Sequence, residues 1–193
     1  MKKILAIMGS PRKNKNTDIL LQKVIEGIKI KDVEVNKIDL KDLKFSPCTA
    51  CGYCEKTGKC IIQDDMQLLY EEFDKSDGII VASPLYFNTV SSLVKMMIDR
   101  CQMFWASKYI LNNPSIDVAK ERIGMFICTG GAPYSQNQFD ACLPVIDLFF
   151  KAINTKYCYN LLVANTDKVP VWERIDKLNE GYIMGENYFL KRR

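Results

Sequence analysis

Five short apolar runs alternate with amphipathic stretches along this chain, which restricts it to a parallel sheet covered by helices on both faces. KKILAIMGS (2–10), GIIVASP (78–84) and RIGMFICTGG (122–131) are nearly continuous in apolar residues, as strands buried on both faces require. KYCYNLLVA (156–164) reads as a further strand, and VEVNKIDL (33–40) alternates as an edge strand would. Between them, Asn16-Thr17 cap a helical stripe of Ile19, Leu20, Val24, Ile25 and Ile28. Asp64-Asp65 open a helix bearing Met66, Leu69, Tyr70 and Phe73, with both carboxylates suited to the positive end of its dipole. Ser91–Trp105 and Phe139–Ile153 read as two more helices, and a last one is expected to start near Val171. The expectation is an α/β fold with a doubly wound five-stranded parallel sheet in one domain over residues 1–193.

Two segments exceed what compact connections need, about 41–63 and 106–121, and loops of that size usually carry function or interfaces. The formal charge of 27 − 23 = +4 is too scattered to argue for nucleic acid. The chain has no histidine, which removes the commonest general base and His-ligated metal sites. The apolar run Ile4–Met8 is five residues, shorter than a signal peptide core needs, and no stretch reaches the length of a membrane span. A cytoplasmic protein without membrane contact is expected.

In a doubly wound sheet, ligands bind beyond the carboxyl ends of the strands. After the first strand, GSPRKNKNT (9–17) runs directly into a helix start, so Ser10, Arg12, Asn16, Thr17 and backbone N–H groups are candidates for one phosphate. The loop lacks the Gly-Lys-Ser/Thr ending of a Walker loop and is not G-x-G-x-x-G. After the third strand, Pro84, Leu85, Tyr86, Phe87 and Asn88 offer a stiff exit and two aromatic rings for a flat heterocycle. After the fourth, Thr129, Gly130 and Gly131 allow close backbone approach to a planar ligand. Singly, these loops read equally well as a solvated cap, ordinary packing and a tight turn. Together, a phosphate at the first and a ring between the others describe FMN.

CTACGYCEKTGKC (48–60) gathers four of the eight cysteines: Cys48, Cys51, Cys54 and Cys60. A cytoplasmic setting disfavours a disulfide knot. Structural zinc sites usually split their ligands into two pairs, and gaps of two, two and five residues are cramped for that. Three thiolates at this spacing wrap one face of an iron–sulfur cubane and a fourth closes it, although the trailing proline of ferredoxin runs is missing. Gly52 and Gly58 would relieve the crowding of so tight a wrap. The residues favour a cluster and leave zinc and merely redox or incidental thiols open. Cys101, Cys128, Cys142 and Cys158 read as small buried hydrophobes, and Met96-Met97, Phe104 and Trp105 as core or interface.

GSPRKNKNT, CTACGYCEKTGKC with the following IIQDDM, and SPLYFNTVSSLVKMMIDR resemble the iron–sulfur flavoproteins of anaerobic archaea and bacteria, within the flavodoxin-like NADPH-dependent FMN reductase superfamily. These stretches cover roughly the first hundred residues, in order. The resemblance implies a flavodoxin-like fold with strand order 2-1-3-4-5, one FMN, and one [4Fe-4S] cluster on Cys48, Cys51, Cys54 and Cys60. It also implies a homodimer or homotetramer in which the cluster lies near a neighbouring subunit's flavin. The expected function is electron transfer, with ferredoxin as donor and a small acceptor such as O2, H2O2 or a quinone, needing no acid–base side chain. The rival is an NAD(P)H-dependent FMN or quinone reductase whose cysteine loop is structural. A third reading is a redox-sensing or scaffold protein that uses the loop as a metal-stapled interface.

Overall fold

The computed structural model describes residues 1–29 and 32–189. Its five strands are β1 (Lys2–Met8), β2 (Val33–Asp39), β3 (Gly78–Pro84), β4 (Arg122–Thr129) and β5 (Thr155–Val163). All are parallel, in the order β2-β1-β3-β4-β5 that the flavodoxin-like resemblance implies. β3 and β4 are buried at every position, whereas β2 and β5 alternate, as central and edge strands should.

The two-residue period of a strand sorts its side chains into two cores. Ile4, Ala6, Met8, Ile80, Ala82, Met125 and Ile127 face α1 (Asn16–Lys29) and the C-terminal helix. Leu5, Ile7, Ile79, Val81, Phe126 and Cys128 face the opposite layer. That layer holds, in chain order, a short α2 (Tyr53–Thr57), α3 (Met66–Lys75), α4 (Ser92–Arg100), α5 (Gln102–Tyr109) and α6 (Cys142–Ala152); the C-terminal helix is α7 (Ile175–Glu186).

Several boundaries differ from the sequence expectation. The helix expected over Ser91–Trp105 breaks at Cys101, whose N–H bonds to the carbonyls of Met97 and Ile98 and closes α4 before α5 begins. α5 then continues to Tyr109, so the second long loop spans 110–121 rather than 106–121. Residues 139–141 form a turn before α6. Val171–Glu173 is a 3-10 turn, and α7 starts only at Ile175. Buried Arg122 stitches the second loop down, donating to the carbonyls of Phe73, Asp74 and Asp117. Among the described residues no helix is long and apolar enough to cross a membrane.

Candidate functional site

The three strand-end loops are bonded into one rim. Gly9 N–H donates to the Ala82 carbonyl at 2.7 Å. Ser91, which caps α4 by accepting from Val94 N–H, donates its own hydroxyl to the Gly9 carbonyl at 2.7 Å. Leu85 N–H donates to the Thr129 carbonyl at 2.8 Å, and the Thr17 and Thr129 hydroxyls bond one another at 2.6 Å. A β-carbon at Gly9 would overlap Val94 Cγ2, so only glycine lets the first loop pass this close to α4.

The candidates for the phosphate divide. Asn16 clamps the chain after β5, accepting from Val171 N–H at 2.9 Å and donating to the Thr166 carbonyl at 3.4 Å. Its amide and the Thr17 hydroxyl thus serve the frame in this structure. Ser10 Oγ accepts from Arg12 N–H at 3.1 Å, and Arg12 is exposed at the tip. The first turn of α1 presents backbone N–H groups that have no intrahelical acceptor. With Ser10 and Arg12, those groups are the part of the loop that fits an anion.

Tyr86 and Thr89 exchange backbone bonds at 2.9 and 3.0 Å, making a two-residue hairpin with Phe87 and Asn88 at its tip. Both tip residues are left-handed, with φ of 49° and 57°, the signature of a type I′ turn. Phe87 has neither the flexibility nor the local side-chain bonds that make this conformation cheap, yet it stands fully exposed there. Gly130 and Gly131 pack under the loop after β5: their carbonyls accept from Thr166 and Asp167 N–H, and a β-carbon on Gly131 would overlap the Asp167 carboxylate.

One residue in the first turn of α1 carries no signal of its role in the sequence. Asp18 is buried, accepts from Asn14 N–H at 2.8 Å and pairs with Lys37 at 2.6 Å. Burial pushes its carboxyl up, but Lys37 and the Asn14 N–H outweigh that and hold it below the usual range. From sequence, an acid in a helix's first turn reads only as a dipole partner.

The cysteine segment follows the edge strand β2, and its sulfurs share a cavity with residues of the α4–α5 junction and α6. Cys48, Cys51, Cys54 and Cys60 all line one cavity of about 540 Å³, whose other walls include Arg100, Cys101, Trp105 and Leu148. Cys48 and Cys51 are exposed, Cys54 and Cys60 half-buried, and all eight cysteines are free. Among the described residues no three His, Cys, Asp or Glu side chains converge as ligands of a single ion; the sulfurs are spread around a cavity. Burial, with the other three thiols nearby, pushes the Cys54 thiol up, a cost that coordination would reverse by holding it as thiolate.

Local backbone supports that arrangement. Gly52 and Gly58, both at φ 69°, bracket α2 at its two ends, and Ala50 is left-handed at φ 52°. Turns that interleave left- and right-handed residues make concavities lined by N–H groups, suited to anions. Asp64 and Asp65 close the segment: Asp65 accepts from Lys44 N–H at 2.6 Å, and Asp64 from Ser46 N–H at 3.0 Å. Asp64 also accepts from Met66 N–H at 3.1 Å, so it serves α3 as expected and the cysteine segment as well. Burial pushes the Asp64 carboxyl up, and its bonds from Arg100, Ser46 and Met66 more than reverse that. Cys101 and Trp105, read from sequence as packing residues, line the cavity too.

A family model described as NADPH-dependent FMN reductase matches residues 2–153. An iron–sulfur flavoprotein of Methanocaldococcus jannaschii is 39% identical over 98 residues, 51% of this chain and 51% of the relative. One of Methanosarcina thermophila is 32% identical over 130 residues, 67% of this chain and 64% of the relative. The chain thus spans about half to just under two thirds of the length of these curated relatives. Among solved structures, an azoreductase from Bacillus anthracis superposes with a TM-score of 0.76 at 13% identity, over 97% of this chain and all of that one. An NAD(P)H:quinone oxidoreductase from Methanothermobacter marburgensis gives 0.73 at 12% identity, over 97% and 96% of the two chains. At such identities these two similarities establish the flavodoxin-like architecture.

Proposed function

The chain belongs to the NADPH-dependent FMN reductase family and groups within it with the iron–sulfur flavoproteins, and on that premise we propose that it is an electron-transfer flavoprotein carrying FMN and a [4Fe-4S] cluster. The observation that carries this reading is the cavity shared by Cys48, Cys51, Cys54 and Cys60. Those four sulfurs would hold the cluster. Ser10, Arg12 and the first turn of α1 would hold the phosphate, with Pro84–Asn88 and Thr129–Gly131 on either side of the ring. When bound, the pair supplies the exchange between one-electron and two-electron traffic that neither side chains nor backbone can perform. The chain's own task is to position the two groups, exclude water from the ring and set their potentials.

A homodimer or homotetramer is part of the same proposal. Exposed Ile61 and Leu148 stand at the sulfur cavity, with exposed Tyr53 next to Cys54 in the chain, and would suit contact with a second copy whose rim approaches the sulfurs. Sedimentation at micromolar concentration is expected to give an assembly; a monomer with full electron transfer would refute it. Ferredoxin is the proposed donor and O2, H2O2 or a quinone the acceptor. The family's NADPH-dependent description favours a second reading, direct reduction by NAD(P)H with a structural cysteine loop. Rapid bleaching of bound flavin by NADPH would select the second; inertness to pyridine nucleotides with reduction by ferredoxin selects the first. The deciding experiment is anaerobic purification with flavin, iron, acid-labile sulfide and zinc analyses, followed by EPR before and after reduction. Stoichiometric FMN, four irons and four sulfides are expected, and zinc or an empty segment would end the proposal.

A further inference from the structure

Arg100 ends α4 with its side chain wholly buried. Its two outer nitrogens are fully used on the ends of the cysteine segment. Nη1 donates to the Ser46 carbonyl at 2.8 Å and to Asp64 Oδ2 at 2.7 Å. Nη2 donates to the Ile62 carbonyl at 3.2 Å and to Asp64 Oδ1 at 3.1 Å. Ser46 precedes the first candidate ligand by two residues and Ile62 follows the last by two, so one guanidinium clips both mouths of the loop. The third nitrogen is different: Arg100 Nε is buried with no hydrogen-bond partner. A donor taken out of water and left unpaired is costly, and its persistence asks for an acceptor.

Arg100 and Cys60 line the same cavity, so the cavity is where an acceptor for this nitrogen would be found. The Tyr70 hydroxyl donates to the Arg100 carbonyl at 2.9 Å and fixes this end of α4. Arginine keeps its charge throughout the accessible pH range, and Asp64 pairs with its outer nitrogens, so its Nε–H remains a donor. Resting on the iron–sulfur reading, we infer that the Arg100 Nε–H donates to the Cys60 sulfur of the bound cluster, making Arg100 the positioning residue that both closes the loop and sets the cluster's potential. A donor aimed at a cluster sulfur stabilises the reduced, more negative form more than the oxidised one and raises the midpoint. Asp64 offsets the net charge of the guanidinium, so the directed N–H is the lever rather than the charge.

Arg100→Lys separates these effects, because it keeps a cation and removes both the fork and the Nε–H. With anaerobically purified protein, the variant's one-electron midpoint is expected to fall by at least a tenfold change in the reduction equilibrium, about 59 mV. Wild-type protein labelled with nitrogen-15 on arginine is expected to show that nitrogen's coupling in pulsed EPR of the reduced cluster. If Arg100→Lys does not fold or hold iron, the labelled wild type decides alone. A cluster-bearing wild type without arginine coupling, or a loaded variant with an unchanged midpoint, overturns this inference and leaves the iron–sulfur reading standing. A wild type without iron overturns both.

Discussion

At the strand ends, each loop is tied by backbone bonds to the strand beside it: Gly9 to Ala82, Leu85 to Thr129, Gly130 to Val163, all between 2.7 and 2.8 Å. The cysteine segment hangs largely from side chains instead, chiefly Arg100, Asp64 and Asp65, at 2.6–3.2 Å. The difference is one of inheritance. The rim takes its shape from the buried central strands of the sheet. The cysteine segment depends on a buried ion pair, of the kind whose breaking costs about 3–5 kcal/mol, and on the group it is proposed to bind. Damage to one region should therefore spare the other.

The largest effect tests that separation directly. Cys54→Ser is expected to abolish iron and sulfide binding while the flavin-to-protein ratio stays at the wild-type value, measured on the same anaerobic preparation. Loss of flavin together with iron would show that the regions are not independent. The reciprocal change is Gly9→Ala, whose new β-carbon overlaps Val94 Cγ2 and comes within 2.9 Å of the Ala82 carbonyl. It is expected to cost about 3 kcal/mol in urea unfolding, the upper end of overpacking penalties, and to lower flavin content. Iron per folded molecule should not change; a wild-type unfolding curve would mean that the rim yields more easily than its bonding implies.

The two regions were also unequally legible in the sequence. The parallel sheet follows from runs such as GIIVASP and RIGMFICT, because burial on both faces leaves no other pattern to write, whereas its strand order comes from the flavodoxin-like resemblance. The four sulfur candidates follow from spacing, and the structure gathers them at one cavity. What holds them there was hidden. Arg100 at a helix end reads as a dipole partner, and its role appears only when residues 54 positions apart meet at Ser46. Asp18 hides in the same way in the first turn of α1. The break at Cys101 is invisible because the apolar stripe from Val94 to Phe104 continues through it; the turn of the backbone is settled by what α5 packs against. Asn16 and Thr17 were legible as polar residues facing the rim, but not as residues already partnered by Val171 and Thr129.

Asp18 sharpens the comparison from the rim's side, because its ion pair is the rim's counterpart to Arg100–Asp64. Its carboxyl is held below the usual value when folded. It therefore contributes stability that is fully present above its unfolded pKa and is lost as pH falls through the folded one. Asp18→Asn should destabilise by about 2 kcal/mol at pH 7. The gap between variant and wild type should close as pH drops below about 4. Urea unfolding at several pH values checks this, and a gap independent of pH would assign the loss to packing rather than to the charge.

The smallest effect concerns Phe87, where the rim departs from its own economy. A left-handed aromatic residue at a hairpin tip carries local strain of about 1 kcal/mol, and asparagine adopts that conformation more readily. Phe87→Asn is thus expected to raise stability by about 1 kcal/mol in urea unfolding. If the exposed ring exists to cover the flavin, the same variant should bind FMN more weakly while keeping its iron. A gain in stability with undiminished flavin affinity would mean that the ring faces something other than the cofactor, and the proposed second subunit would be the first surface to test against it. No gain at all would mean that the hairpin is set by the Tyr86–Thr89 bonds strongly enough to make the tip residue indifferent.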